Sequence, residues 1–599
     1  MALQVWLPLN GNLNNQGLNN TAFTGSTTFE AGKIGQAGVF GTNAKRAISS
    51  ATVTLNSQVT IAFWIKIKTW VNWGRIFNLY NSDKTNTINC VSNTSTDKRI
   101  GTQVSKNGTN LTDSYNGSFD LNTWYHFAMV VNGTTKQHYI NGSLVGTATL
   151  SDSMVTTDYT VMCGGAADNG APVDMDINDF RVYDHALSPK EIEILSRGLV
   201  CHYPLNGGGR GGDNLLIYSN VTETNFTALK NRGIGTWNKL SLTTKDGYDC
   251  YLYDKSLSST AFSTGAWYSG MKANTTYTYS AWIYFTASAN FNFISLGHFQ
   301  VYNSNSTASD KSHEDIANAR IYEPSTIPAN KWTKIRITFT TNNLANSYFQ
   351  VYPRYNIGAN VGDLYFRDCK LEEGDHVTPW QPNSADSAYT AMGYDSTTEY
   401  DVSGYGYNGT KNGTIAYSSD TARYSVSTNF AKSPYIQTTL PLPNGDGKHY
   451  TFSWWGKYTN YSDHMMWGYA NGNRLNLYMS SGNFYWNTGN GTNNPFGVSA
   501  ATYGDNTWHH FVVTGDGTVT KLYIDGEYKA NAKTYQPITG TTLIFNGWAT
   551  STAYDFNGSL SDFRLYATAL SAAQVAELYN TAVSIANNGT LMGYELIET

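Results

Sequence analysis

Cysteine is scarce. The chain has five in 599 residues (Cys90, Cys163, Cys201, Cys250 and Cys369), widely spread and never in a Cys-x-x-Cys pair. That argues against a small disulfide-stapled scaffold and against a cysteine zinc site. Five inert buried thiols are expected, although Cys250 and Cys369 share one module and could pair. Charge is sparse too: Asp, Glu, Lys and Arg make up 14%, with 39 basic against 44 acidic residues and a net charge of −5. No Lys/Arg run occurs, so the electrostatic footprint of a nucleic-acid or anionic-membrane binder is missing, and no nucleic-acid partner is expected. No apolar run approaches the roughly 20 residues that span a bilayer, so no membrane insertion is expected. The opening MALQVWLPLNG has neither a basic region nor a long apolar one, so no secretory signal is read there. Coiled-coil heptads, which would build a trimeric fibre stem, are also missing.

What fills the chain instead is aromatic and small polar. Aromatic residues make up 14%, with 43 Tyr and 16 Trp, alongside 55 Gly and abundant Asn, Ser and Thr. Disordered chains lack aromatics, and helical proteins are rich in Ala, Leu, Glu and Lys. The composition therefore favours an all-β protein with long polar loops, large enough for several domains.

The chain repeats itself. Residues 124–142, WYHFAMVVNGTTKQHYING, align without a gap with 508–526, WHHFVVTGDGTVTKLYIDG. Downstream, NDFRVYDHALSPKEIEILS (178–196) matches SDFRLYATALSAAQVAELY (561–579). Upstream, TIAFWIKI (60–67) matches TFSWWGKY (451–458), followed by WGRIFNLY (73–80) and WGYANGNRL (467–475). WYHFAMVV is apolar on both faces, as expected of a strand within a two-layer sandwich. HYING and LYIDG read as next strands closing on Asn-Gly or Asp-Gly turns. Each copy ends in a helix signal. Ser188-Pro189-x-Glu191 is a capping box with Pro at the first helical position, and Ser571-x-x-Gln574 repeats it.

These motifs, in this order, resemble the laminin-G-like branch of the concanavalin A-like lectin/glucanase superfamily. The resemblance implies a jelly roll of two antiparallel sheets for each copy. Between the copies, NLLIYSN, ANTTYTYSAWIYF (273–285), KWTKIRITFTT (331–341) and LYFRDCKLEEGDHVTPWQPN (364–383) resemble the β-sandwich carbohydrate-binding modules attached to glycoside hydrolases and phage tail proteins. The expected architecture is all-β: three β-sandwich domains, two of them concanavalin A-like, each ending in a short capped helix. The opening VWLPLNG recurs as LVCHYPLNG (199–207), whereas the rest of an opening, YDSTTEYDVSGYGYNGT (394–410), appears only after the middle module. The division read from this is 1–198, the first lectin-like domain; 199–207, the displaced first strand of the second; 208–383, an inserted middle module; 384–585, the second lectin-like domain; and 586–599, a tail.

Enzyme chemistry finds little support, and no enzymatic activity is expected. Glycoside hydrolysis needs two carboxylates flanking a glycosidic bond. Glu191-Ile-Glu193 looks like the superfamily's paired acids, yet it lies in the capped helix, and the second copy has Gln574 and Ala576 there. His126 and His510 occupy matching strand positions and read as structural. Metal binding has a better claim. Asp174, Asp176, Asn178 and Asp179 precede the closing strand of the first copy, and Asp555 and Asp562 flank the same place in the second. In an extended chain Asp174, Asp176 and Asn178 share a face, which suits either a solvated acidic loop or a hard cation such as Ca²⁺.

Sugar binding needs flat aromatic faces with amides or charges beside them. Trp64 with Trp455, Trp124 with Trp508 and Trp73 with Trp467 are shared between copies and read as framework. Trp282, Trp332 and Trp380 sit in framework motifs of the middle module. The freer candidates are Trp70, Trp486 and Trp548 in the lectin-like copies, and Trp237, Trp267, Tyr268, Tyr352 and Tyr355 in the middle module. The modules together resemble the lectin-like adhesins and tail or head-fibre components of bacteriophages. That implies a virion-surface protein meeting host-surface polysaccharide or glycoprotein beside other virion structural proteins. A purely structural virion part and a bacterial surface carbohydrate-binding protein are the alternatives.

Overall fold

The computed structural model describes residues 3–205 except 18, 20, 42–44, 94–97 and 166–170. It describes residue 215 and then 240–245, 248–253, 267–271, 274–286, 297–302, 317–323, 330, 332–341, 347–353 and 363–373. It also describes 398–588 except 402, 419–426, 432–433, 439, 441–446, 460–463, 470–475, 489–491, 533–541 and 547–555.

The protein is built from antiparallel sheets, as its strand-period patterning requires. In the first copy the strand Gln58–Thr69 lies between Trp124–Asn132 and Asp174–Tyr183. Val59, Ile61, Phe63, Ile65 and Ile67 enter a core shared with a second sheet, where Phe77, Leu79, Ile88 and Val161 meet them. Successive strand side chains point to opposite faces, so Thr60, Ala62, Trp64 and Lys66 lie on the other side of the same sheet. The second copy repeats the plan. His449–Tyr458 lies between His509–Asp516 and Asn557–Tyr566, with Phe452 and Trp454 in the core.

Both copies break the closing strand at the same place. Asp179 and Asp562 take positive φ (57° and 52°), and their amides donate to the carbonyls of Pro8 and Pro204. The strand Leu3–Leu7 pairs with Asp174–Tyr183 so that Trp6 stands opposite Arg181. Leu199–Tyr203 pairs with Asn557–Tyr566 in the same register, with His202 opposite Arg564. The described residues within 240–373 form a six-stranded and a three-stranded sheet of their own. From the strand Thr398–Glu399 onward, the chain builds the sheets of the second copy. We propose from this pairing that the middle module is an insertion after a displaced first strand.

Helix α1 (Pro189–Leu195) carries the expected capping box, with Ser188 and Glu191 bonded reciprocally. Helix α2 (Ala572–Asn588) starts likewise: the Ser571 amide donates to Gln574 and the Gln574 amide to Ser571 Oγ. It is longer than a short cap and runs past residue 585. The helices meet through Glu193, which accepts from Arg197 and Gln574, while Arg197 also reaches Glu577 at 2.7 Å. The copies are joined further at Trp6, whose ring stands edge-on to Tyr405 at 5.7 Å with the Arg181 guanidinium 4.4 Å above it. Asn10 donates to the Tyr407 hydroxyl at 2.8 Å. All five cysteines are buried and none is in a disulfide; the Cys250 thiol donates to the Thr243 carbonyl and Cys369 accepts from Tyr279 OH.

Candidate functional site

The carboxylates and histidines singled out in the sequence are taken up by the fold. Glu193 is tied to Arg197, Lys190 and Gln574; burial raises its carboxyl, but these hydrogen bonds outweigh that and hold it at about 2. A group so held is a poor proton donor at neutral pH. His126 and His510 lie under Trp64 and Trp455, with ring centroids 5.3 and 5.1 Å apart. Burial pushes His126 down to about 4, so its imidazole is neutral.

The acidic run does not gather around an empty centre. Asp176 is fully buried and lies 2.6 Å from both Lys66 Nζ and Lys68 Nζ. Asn178 accepts from the Ile34 amide and donates to the carbonyls of Pro8 and Gln36. Asp179 accepts from Trp6 Nε1 at 2.6 Å and from Arg181 Nε at 3.0 Å. Asp562 bonds His202 Nε2 at 2.7 Å and Arg564 Nε at 2.9 Å. Asp174 is half-buried where the strand begins, beside Gly41, and Asp555 lies outside the described residues. A hard cation at Asp176 would have to displace two ammonium groups, so this donor set does not fit Ca²⁺ as it stands. Among the described residues, no group of three or more His, Cys, Asp or Glu is placed to hold a metal ion.

The aromatic candidates divide. Trp486, expected near a loop, is fully buried and stacks in the second core beside Tyr450 and Trp467. Trp70 is half-buried against the first core. Trp267, Tyr268 and Tyr352 lie on one three-stranded sheet of the middle module, in the strands Trp267–Met271 and Ser347–Pro353. Trp237, Tyr355 and Trp548 lie outside the described residues.

One residue read as framework is surface. Trp73 is 47% exposed, whereas Trp467 is fully buried. The two are not equivalent: Trp467 pairs with Phe545 on the strand where the first copy pairs Phe77 with Cys163. The shared Trp-Gly dipeptide therefore aligns the wrong residues. Trp73 holds a left-handed backbone (φ 58°), a costly conformation for a bulky residue and one found preferentially at functional sites. Its ring stands edge-on to Tyr115, 5.8 Å away.

Trp73 and Tyr115 border the outward face of the first copy's second sheet. Arg75, Val91, Gly101 and Tyr115 pair in one cross-strand row. A Cβ on Gly101 would lie 2.1 Å from the Tyr115 ring, so only glycine lets that ring lie across the sheet. Burial and Asp113 raise the Tyr115 phenol to about 12 while Arg75 opposes them, so it is a neutral hydroxyl. The next row pairs Asn78, Asn89, Gln103 and Asp113, with Asn78 Nδ2 donating to Asn89 Oδ1. Flat rings beside a row of amides are what a pyranose needs, apolar C–H on one side and hydroxyls on the other. The second copy keeps the plan in backbone register: Tyr478, Tyr485 and Pro495 form one row, and Asn476, Asn487 and Asn493 the next. The signal was the alternation of amides with apolar residues in TINCVSN, where Asn89 and Asn93 fall on one face and Ile88 and Cys90 on the other.

Comparison with known proteins bears on the fold. No curated protein matches the chain. Among solved structures, it is similar to a heptameric SAP-like pentraxin from Limulus polyphemus (19% identity, 26% of this chain and 80% of that chain, TM-score 0.23). It is also similar to domain 4 of AbnA, an extracellular GH43 arabinanase from Geobacillus stearothermophilus, in complex with arabinotriose (18%, 33% and 98%, TM-score 0.29). A third is the CBM40 of the Ruminococcus gnavus IT-sialidase bound to α2,3 sialyllactose (16%, 24% and 83%, TM-score 0.21). A laminin G-type family model, described as the concanavalin A-like lectin/glucanases superfamily, matches residues 40–193 and 430–576, together just over half of the chain. The two matches fall on the two copies whose sheets share one register, and the chain belongs to the concanavalin A-like lectin/glucanases superfamily.

Proposed function

We propose that this chain is a non-catalytic, multivalent glycan-binding protein. The observation that carries the reading is the Trp73–Tyr115 ring pair beside the row of Asn78, Asn89, Gln103 and Asp113 on the outward face of the first copy's second sheet. Weak faces on several modules of one chain gain strongly when more than one engages a repeating polymer. The target is a host-surface polysaccharide or glycoprotein, and the setting is the surface of a bacteriophage virion, where the chain stands beside other virion proteins. That setting rests on the resemblance of the modules to phage adhesins.

The test is binding of the full chain to an array of bacterial surface polysaccharides, with Ca²⁺ and again with EDTA. Binding to a narrow set, unchanged by EDTA, is expected from the ion-paired state of Asp176 and Asp179. Loss in EDTA would restore a calcium site. No binding in either condition, with the fold verified by circular dichroism, would turn the reading to a structural virion component.

A further inference from the structure

The middle module carries a second kind of surface. Its six-stranded sheet pairs Leu240–Lys245, Tyr248–Tyr253, Leu364–Glu373, Thr276–Phe285, Thr333–Thr341 and Ala317–Glu323 in that order. Phe366 packs on Tyr251 in the interior, so Tyr365 and Arg367 fall on the opposite face. There the Arg367 guanidinium lies 3.8 Å from the centre of the Tyr248 ring, 5.2 Å from Trp332 and 5.4 Å from Trp282. Beside it, Lys245 Nζ lies 4.6 Å over Tyr284, whose ring is 5.7 Å from Trp332. Trp282 and Trp332, read from the sequence as framework, are half-buried walls of this cluster rather than core.

A guanidinium boxed by rings has its flat faces satisfied, and its N–H groups remain in the plane as donors. Asp368 takes one of them, at Nη1. Arg367 Nε is buried and has no acceptor among the described residues; the same holds for Trp332 Nε1. Buried donors without acceptors are costly, and two within one cluster point to an acceptor that arrives from outside. Arg367 and Lys245 bring two cations to the cluster, with Asp368 on Arg367 and Asp363 near Tyr365. An acceptor that is also negative and carries an apolar face matches every element of it.

We propose that this face of the middle module binds an acidic saccharide, with Arg367 taking the oxyanion and the Tyr248, Trp282 and Trp332 rings bearing on the sugar. The inference rests on the reading of the chain as a glycan binder and adds a charge specificity that the amide rows of the lectin-like copies do not supply. Carboxylate and sulfate share this chemistry, and the test separates them. The full chain is run in affinity gels containing polygalacturonate, its methyl ester, dextran sulfate or dextran, beside the variants Arg367→Gln, Arg367→Lys and Trp332→Phe. At least tenfold tighter binding to polygalacturonate than to its ester is expected for a carboxylate, or to dextran sulfate than to dextran for a sulfate. Arg367→Gln removes that preference, Arg367→Lys recovers part of it, and Trp332→Phe, which keeps an aromatic face but loses the N–H, weakens it several-fold. Should Arg367→Gln fail to fold, Trp332→Phe and Arg367→Lys still decide. Equal binding to acidic and neutral partners, or variants that bind acidic glycan like the parent, would overturn the proposal. A chain that binds array glycans yet fails here refutes only this inference, whereas one that binds no glycan refutes the reading beneath it.

Discussion

The two lectin-like copies share a frame and differ in what they bury. Both hold a closing-strand aspartate at positive φ under a Pro-Leu turn, and both bond it to a ring on the first strand: Trp6 in one, His202 in the other. Further along they part. The first copy buries Lys136 and His138 between its sheets. Lys136 donates to the Thr102 carbonyl at 2.6 Å, and His138 is held by Thr102 and Asn116. The aligned residues in the second copy are Thr520 and Leu522, with Thr520 bonded to Tyr450 OH. The same sandwich thus tolerates either a polar or an apolar filling at one position, provided each buried polar group finds a partner.

The largest effects are expected at the shared aspartates. Asp179→Ala leaves Arg181 buried with no counter-charge and Trp6 Nε1 with no acceptor, for a loss of about 3–5 kcal/mol. Asp562→Ala removes a partner from His202 and from Arg564, whose side chain is less completely buried than that of Arg181, so a smaller loss is expected. Urea unfolding of the two variants measures the difference, and equal losses would break the comparison.

Acid should separate the copies next. Burial lowers His126 to about 4 and His138 to about 3, the latter helped by Lys136. Unfolded histidines bind protons near pH 6.5, so the first copy loses stability as pH falls from about 6.5 towards 3. In the second copy the hydrogen bond that His509 donates to Asp525 raises His509, although burial opposes it. Its charge therefore stabilises below about pH 6.5 and is lost as pH rises through the raised value. Calorimetry between pH 7 and 4 should show the first copy, which buries His138 in addition to the position shared by His126 and His510, declining more steeply than the second. His138→Leu, which installs the second copy's residue, should flatten the first copy's decline. Lys136, brought down to about 8 by burial, makes a complementary prediction: stability of the first copy climbs between about pH 8 and 10.5, and Lys136→Met abolishes the climb.

The smallest effect is expected at the helix contact. Lys190 is half-exposed and pairs with Glu193 and Glu577, so Lys190→Ala should change stability by no more than about 0.5 kcal/mol. A larger loss would mean that the α1–α2 contact governs how the copies are joined.

Much of the frame was legible because its signals are local or repeated. The capping boxes at Ser188 and Ser571 and the paired Trp64 and Trp455 each needed only a few adjacent residues. The sites were less legible because orientation decides them. NFYWNT gives no inward–outward contrast, since Tyr485 and Trp486 are both aromatic, so Trp486 looked free and is core. Trp73 shared a dipeptide with Trp467 and so looked structural, but the strands align four residues further on. Asp174, Asp176 and Asn178 do follow one another along a strand, yet their partners, Lys66, Lys68 and the 34–36 turn, come from elsewhere in the chain.

The central claim is that Trp73 and Tyr115 present a glycan-binding face. Its most direct test is the affinity of the full chain for its best array polysaccharide, measured by titration calorimetry for the parent and for Trp73→Ala. Removing an exposed ring should leave the melting temperature within a degree or two, yet weaken binding roughly tenfold. Unchanged affinity in a folded Trp73→Ala protein would contradict the account and move the binding face elsewhere.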